Sequence, residues 1–145
     1  MTRIWMMVVA MVVIAGCAGD VTETTEPPAD DVVLRVVLNG EVAADWTLAE
    51  LETRVDFVSM TIDGDGQSGP RLLDVLAASD VDGWETAEVF GLGEGRVVEV
   101  ALDITRAQVD DGWILDVTNQ GTLKLATADL PREQWVRDVG EINIP

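Results

Sequence analysis

The chain has 145 residues, of which 27 are acidic and 9 are lysine or arginine, so its formal net charge is −18. It has no histidine or tyrosine and a single cysteine, Cys17. The absence of histidine excludes Ser-His-Asp and Cys-His catalytic systems and imidazole metal sites. One cysteine allows neither an intramolecular disulfide nor a zinc-thiolate cluster. The acidic excess argues against nucleic-acid binding, because that requires cations to neutralise phosphates.

The first 16 residues have the pattern of a secretory leader, with Arg3 followed by the apolar run 4–15. These 12 apolar residues are fewer than the roughly 20 that a membrane-spanning helix needs. The leader ends in four residues that resemble the lipobox of bacterial lipoproteins: Ile14, Ala15, Gly16 and Cys17. The resemblance implies cleavage before Cys17 and a diacylglycerol group on its sulfur. The alternative is an ordinary buried cysteine or a true membrane-anchor helix.

Residues 17–30 are predicted to form the lipidated cysteine and a flexible, acidic tether. The stretch 18–30 has one branched apolar residue and two prolines, which is too little apolar surface to offset the entropy of ordering. A random coil of this length has an r.m.s. extension of roughly 20 Å, which holds a domain clear of the lipid headgroups. We therefore expect a lipid-anchored protein on the extracytoplasmic face of a bacterial cell membrane.

Residues 31–145 are predicted to form one α+β domain in which short strands are interleaved with short helices. Branched apolar residues predict strands at 32–38, 57–62, 85–90, 97–102, 113–117, 122–126 and 139–144. A capping box at Thr47 and Glu50 predicts a helix that ends near Arg54. Further helices are predicted from Pro70, over 104–109 with Asp103 as the cap, and over 131–135. The glycine-rich stretch 64–69 is predicted to be a turn between a strand and a helix.

Four phrases follow one another along this domain: LNGEV at 38–42, WTLAEL at 46–51, GPRLLDVL at 69–76 and WVRDVGEI at 135–142. In their order and spacing they resemble the sulfite-oxidase-type molybdopterin-binding domain, in a short, exported, single-domain version. The resemblance implies the α+β fold of that family and, for an active member, an oxidoreductase that uses molybdopterin.

The resemblance does not extend to the metal ligand. Members of the family bind molybdenum through a cysteine, and the corresponding region here contains Ser59, Met60 and Thr61. A hydroxyl group lacks the softness that a thiolate offers such a metal. Arg71 is the candidate contact for an anionic group such as the pterin phosphate, which the strong negative charge of the domain repels. We therefore predict no cofactor, no catalytic residue and no metal.

Two other features are weaker candidates for ligand sites. Asp63 and Asp65 lie in a glycine loop with half of a calcium-loop pattern, but the twelfth position counted from Asp63 is Asp74, so a plain turn is preferred. The acidic stretch 110–112 is likewise expected to be a plain turn, because it offers too few ligands for a cation. Trp84 follows a predicted loop and is expected to be the most exposed tryptophan, which makes it a possible ligand contact.

Three functions are compatible with these observations. The preferred one is a cofactor-free binding module whose partner is a cationic protein or a small molecule. The second is a molybdopterin-dependent oxidoreductase or its redox subunit, which requires five arginines to converge on one cleft: Arg35, Arg54, Arg71, Arg96 and Arg106. The third is an acidic module that binds calcium through Asp63 and Asp65.

Overall fold

Short strands make up most of the described part of the chain, which is residues 26–145 of the computed structural model. In chain order the elements are β1 (Val32–Leu38), β2 (Glu41–Thr47), α1 (Leu48–Arg54), β3 (Phe57–Ile62), β4 (Asp65–Pro70), α2 (Leu72–Ala78), β5 (Thr86–Leu92), β6 (Val98–Thr105), β7 (Ile114–Val117), β8 (Leu123–Ala126) and β9 (Val139–Ile144). Short 3₁₀ helices lie at Glu94–Arg96, Arg106–Gln108 and Arg132–Gln134. The prediction of a small mixed domain of strands and helices is confirmed.

The predicted leader, the lipobox and the first part of the tether lie outside the described residues. Within residues 26–145, neither α-helix has the length and apolar character needed to cross a membrane.

The central sheet has five strands in the order β2-β1-β9-β5-β6. Strands β1 and β9 are parallel, and the other neighbouring pairs are antiparallel. Two hairpins, β3 with β4 and β7 with β8, lie beside each other. An isolated bridge between Arg71 and Ile114 joins these hairpins. The last strand of the chain therefore lies next to the first, in the middle of the sheet.

One face of the central sheet, here called the inner face, forms the core. Leu34 and Val36 of β1, Val89 of β5, and Ile142 and Ile144 of β9 are each at most 2% exposed. They pack in one apolar cluster with residues of both α-helices and of strands β7 and β8. Burial of a side chain of this size contributes about 1.5–3 kcal/mol. Burial of these side chains therefore determines which face of the sheet packs against the helices.

The capping box predicted at the start of α1 is present. The Glu50 carboxylate accepts a hydrogen bond from the Thr47 backbone N–H at 2.9 Å, and the Thr47 hydroxyl accepts one from the Glu50 backbone N–H at 3.2 Å. Hydrogen bonds from the Thr47 backbone and hydroxyl lower the pKa of Glu50 below its ordinary value. The helix ends at Arg54, as predicted. The predicted bounds of β1, β3 and β9 are also those observed.

The prediction for the glycine-rich stretch 64–69 is wrong, because it contains most of strand β4. The chain reverses at Asp63 and Gly64, whose φ angles are 50° and 83°. A two-residue hairpin turn requires positive φ at both central positions, which Asp-Gly accepts. As a consequence Pro70 ends β4 instead of opening a helix, and α2 begins after Arg71.

The predicted helix over 104–109 is also wrong. Strand β6 continues to Thr105, and a single 3₁₀ turn follows it. Thr105, not Asp103, caps that turn, and its backbone N–H donates to the Gln108 side-chain oxygen at 2.8 Å. Strand β6 pairs with β5 as far as Thr105, so sheet pairing overrides the weak local preference for a helix.

The two hairpins are in close contact at Gly69 of β4. A Cβ at this position would overlap the backbone carbonyl oxygen of Leu115 in β7, so only glycine fits here. Beside it, the buried Asp116 carboxylate accepts a hydrogen bond from the Ser68 backbone N–H at 2.7 Å and lies 3.3 Å from Lys124 Nζ. These contacts hold the hairpins together without leaving a buried charge unpaired.

We expect Gly69→Ala to lower the free energy of unfolding by roughly 3 kcal/mol, which is the upper end of the usual cost of overpacking. The backbone of β4 or β7 must shift to admit the methyl group. Gly66→Ala is the matched control, because Gly66 lies on the same strand and a methyl group there would have no neighbouring atom within 4 Å. Urea denaturation measures both variants, and equal midpoints would contradict the close approach of the hairpins.

Candidate functional site

The second face of the central sheet, here called the outer face, consists of residues that alternate with the core along each strand. Its members are Arg35, Val37, Asp45, Glu88, Phe90, Ala101, Asp103, Glu141 and Asn143. The strand register places Arg35 opposite Glu141, and Glu141 opposite Phe90. Val37 and Phe90 belong to neither apolar cluster of the described structure. The helices and hairpins pack on the inner face. On the outer face Arg35 and Val37 are buried, and the other residues are partly or fully exposed.

An ion pair organises one side of the outer face. Arg35 Nε donates to Asp45 Oδ1 at 2.7 Å, and Arg35 Nη2 donates to Asp45 Oδ2 at 2.8 Å. The guanidinium is buried, and the Asp45 carboxylate is partly exposed. The hydrogen bonds to Asp45 raise the pKa of Arg35 above its ordinary value, against the effect of burial, and the charges of Asp45 and Glu141 act in the same direction. Arg35 therefore stays charged and fixed in orientation.

The remaining nitrogen of Arg35 holds an N-terminal segment, residues 26–28, here called the strap. Arg35 Nη1 donates to the backbone carbonyl of Glu26 at 2.6 Å. Pro27 and Pro28 line an open cavity of about 660 Å³, together with Arg35, Arg96 and Glu141. The part of the predicted tether nearest the domain is thus in contact with the outer face.

Carboxylates determine the charge of the outer face. Asp45 neutralises Arg35, which leaves Glu88, Asp103 and Glu141. In the described residues none of these three forms an ion pair. Arg96, which lines the cavity beside Glu141, also forms no ion pair in the described residues. The three carboxylates outnumber it, so the net charge of this region is negative and attracts cations.

The calcium candidates lie on a different part of the molecule. Asp63 and Asp65 flank the turn between β3 and β4, and both contact Arg132, whose Nη1 lies 2.6 Å from Asp65 Oδ2 and whose Nε lies 3.6 Å from Asp63 Oδ2. A guanidinium therefore occupies the position between the two carboxylates. In residues 26–145 no group of three or more His, Cys, Asp or Glu side chains is placed to hold a metal ion.

The two other sequence candidates lie apart from the outer face. Arg71 precedes α2, where its Nη1 is 3.5 Å from Asp74 Oδ2 and its Nε is buried without a hydrogen-bond partner. The prediction that Trp84 is exposed is wrong: it is 8% exposed and packs in the main core, with the Arg106 guanidinium 6.0 Å from its ring centre. The large apolar area of the indole accounts for its burial.

The five arginines of the oxidoreductase hypothesis do not converge. Arg35 and Arg96 line the same cavity, but Arg54, Arg71 and Arg106 are not among its lining residues. Arg54 instead lies over Trp46, 4.6 Å from the ring centre. In this cavity the anionic pterin phosphate would meet Arg35, which Asp45 already neutralises, together with Arg96 and the carboxylate of Glu141.

The residues that correspond to the metal-ligand region of molybdopterin enzymes do not fit a molybdenum ion. Ser59 lies on β3 with its hydroxyl 3.3 Å from that of Ser68, in an exposed cross-strand pair. Met60 and Thr61 follow on the same strand. The donor atoms of this stretch are hydroxyls and a thioether, and the described residues contain no thiol.

Sequence reasoning missed the acids of the outer face. The signal was present in β9, where Glu141 and Asn143 alternate with the buried Ile142 and Ile144, a pattern typical of a strand with one polar face. Which acids lie side by side depends on the strand order, and pattern alone does not supply that order.

No model of a known protein family matches the chain, and no curated protein resembles it at a significant level. The geometry and charge of the outer face are therefore the basis for a functional assignment.

We expect Asp45→Asn to lower the free energy of unfolding by about 2 kcal/mol, because it leaves a buried guanidinium without a charged partner. Asp74→Asn is the control: its pair with Arg71 is longer, at 3.5 Å, and more than a third of each side chain is exposed, so its loss should cost less than about 0.5 kcal/mol. Urea unfolding distinguishes the two. Equal losses would show that the ion pair of Arg35 does not organise this face.

Proposed function

We propose that this protein is a membrane-anchored, extracytoplasmic lipoprotein whose domain binds a cationic partner without a cofactor. The observation that supports the proposal most directly is the partly exposed outer face, with three carboxylates that form no ion pair in the described residues. Phe90 on this face is partly exposed to water, and a bound partner would remove that exposure. A protein or peptide is the expected partner class, because the face is extended rather than deeply concave.

The lipid anchor is proposed from the lipobox at 14–17. Eight residues separate Cys17 from Glu26, and a random coil of that length extends roughly 16 Å r.m.s.. Because Arg35 holds the Glu26 carbonyl at the outer face, this link would keep that face near the membrane. Cationic proteins accumulate at anionic bilayer surfaces, so the face would meet its partners there.

The finer fold assignment is part of this proposal. We propose that the domain is a cofactor-free version of the sulfite-oxidase-type molybdopterin-binding fold. Its support is the order of the four phrases, which fall at the turn between β1 and β2, at the start of α1, at the junction of β4 with α2, and in the segment that leads into β9. The hydroxyl side chains at 59 and 61 and the acidic outer face favour a binding role over oxidoreductase chemistry.

The anchor is tested by Cys17→Ser, which we expect to move the protein from the membrane pellet to the soluble fraction, because a serine hydroxyl does not receive the thioether-linked lipid. Ala18→Ser is the matched control and should remain in the pellet. Mass spectrometry should find a diacylglyceryl group on a wild-type peptide that begins at Cys17. A membrane-bound Cys17→Ser protein, or a soluble wild type, would contradict the anchor.

The outer face is tested with fluorescent heptalysine as the probe. We expect the double variant Glu88→Gln, Glu141→Gln to bind it about fivefold more weakly, since exposed ion pairs contribute about 0.2–1 kcal/mol each. The control double variant Glu52→Gln, Glu133→Gln removes the same charge from α1 and from the 3₁₀ turn at 132–134. An equal decrease in both variants would show that heptalysine follows overall charge and that the outer face is not the site.

A further inference from the structure

Strand β6 is an open edge of the central sheet. In the described structure it pairs with β5 on one side and with no strand on the other. Its eight residues, Val98–Thr105, make it the longest strand in the described residues. An edge of this length presents unpaired N–H and C=O groups that can pair with another strand.

Valines beside this edge are exposed to an unusual degree. Val97, Val98 and Val100 are 64%, 51% and 46% exposed, and no other large apolar side chain in residues 26–145 is as exposed. Val98 and Val100 share a face of β6 with Ile104, which is buried in the core. The apolar face of β6 therefore extends past the core, and Val98 and Val100 remain exposed there.

The opposite face of β6 is acidic. Asp103 is paired with Glu88 and lies on the outer face. Glu99 follows Val98 at the register shift of the β5–β6 pair, and its carboxylate lies against Gly93. Neither acid forms an ion pair in the described structure. The edge thus shows a strip of apolar side chains on one face and a strip of carboxylates on the other.

The other edge of the sheet, β2, lacks these properties. Its pairing with β1 has two register shifts, against one in the pairing of β6 with β5, and such irregularities weaken an edge as a template for a further strand. Its carboxylate at Asp45 is already bound to Arg35. Of its large apolar side chains only Val42 is exposed, at 38%.

We infer that the β6 edge binds an extended peptide segment as an added strand, and that in this segment branched apolar residues alternate with lysine or arginine. The inference rests on the proposed cationic partner and specifies how that partner docks. Backbone hydrogen bonds hold the added strand. Its apolar side chains lie beside Val98 and Val100, and its cations lie beside Glu99 and Asp103, because cross-strand neighbours on one face interact directly.

A second copy of this chain is the wrong occupant for the same edge. If two β6 strands pair antiparallel over most of their length, Glu99 of one copy is opposed, directly or diagonally, by Glu99 or Asp103 of the other. Like charges in these positions destabilise a sheet. The two acids therefore disfavour pairing between copies and favour a basic strand.

The test uses the full chain in detergent micelles and two capped peptides of the same composition, one with the alternating sequence KVKVKVK and one with the block sequence KKVVVKK. We expect the alternating peptide to bind about tenfold more tightly, and hydrogen exchange to slow in β6. The double variant Val98→Thr, Val100→Thr should remove the preference for alternation. The control Val42→Thr on β2 should keep it, and circular dichroism should show both variants folded.

The other outcomes decide among the added strand, the outer face and a second copy of the chain. Equal affinity for the two peptides, or slower hydrogen exchange outside β6 only, would exclude strand addition. If heptalysine binding still depends on Glu88 and Glu141 in that case, the proposed function is unaffected. Alternation-dependent binding at β6 in a protein that ignores heptalysine would support the added strand and remove the outer face as a site. A dimer in sedimentation velocity that the Val98→Thr, Val100→Thr variant dissociates would assign the edge to a second copy.

Discussion

The position of β9 is the constraint on which the rest of the structure depends. The last strand of the chain lies between β1 and β5, parallel to one and antiparallel to the other. Without it the sheet would separate into two antiparallel pairs, β1 with β2 and β5 with β6. Ile142 and Ile144 are buried against the helices, so the same strand joins the sheet and completes the core. Because β1 and β9 are far apart in sequence, this pairing closes a long loop, and loop-closure entropy must be offset by the burial of both isoleucines.

A central β9 also determines the chemistry of the outer face. Each residue that alternates with its buried isoleucines must point outward, so Glu141 lies between Arg35 on β1 and Phe90 on β5. All three guanidinium nitrogens of Arg35 donate to Asp45 or to the Glu26 carbonyl, and Glu141 forms no ion pair with Arg35 in the described structure. The acids of this face are therefore left to solvent or to a partner, and the strap is attached by the same arginine that neutralises Asp45.

The sequence predicts those features that depend on neighbours along the chain. The bounds of β1, β3 and β9 follow from branched apolar runs, and the capping box between Thr47 and Glu50 identifies the start of α1. Strand β4 escapes prediction because its residues, DGQSGP, have almost no strand propensity, and pairing with β3 and the approach to Leu115 stabilise it instead. The burial of Trp84 and the end of β6 escape prediction for a related reason, since tertiary packing decides both. The acids of the outer face are visible individually, but strand order places them together, and no local pattern encodes that order.

The negative charge of the chain has a structural use at its open edge. A sheet that ends in a long strand with exposed valines risks association with its own copies. Charged side chains are the common protection. Here Asp103 supplies one within the regular pairing with β5, and Glu99 supplies a second at the register shift of that pair. Protection by charge is selective in a way that protection by proline or a bulge is not, because it rejects an acidic strand and accepts a basic one. In the proposed membrane-anchored form the protein would be concentrated among its own copies, so selection by charge would matter more there than in dilute solution. The two acids that disfavour pairing between copies would then leave the edge accessible to the cationic segment that we propose.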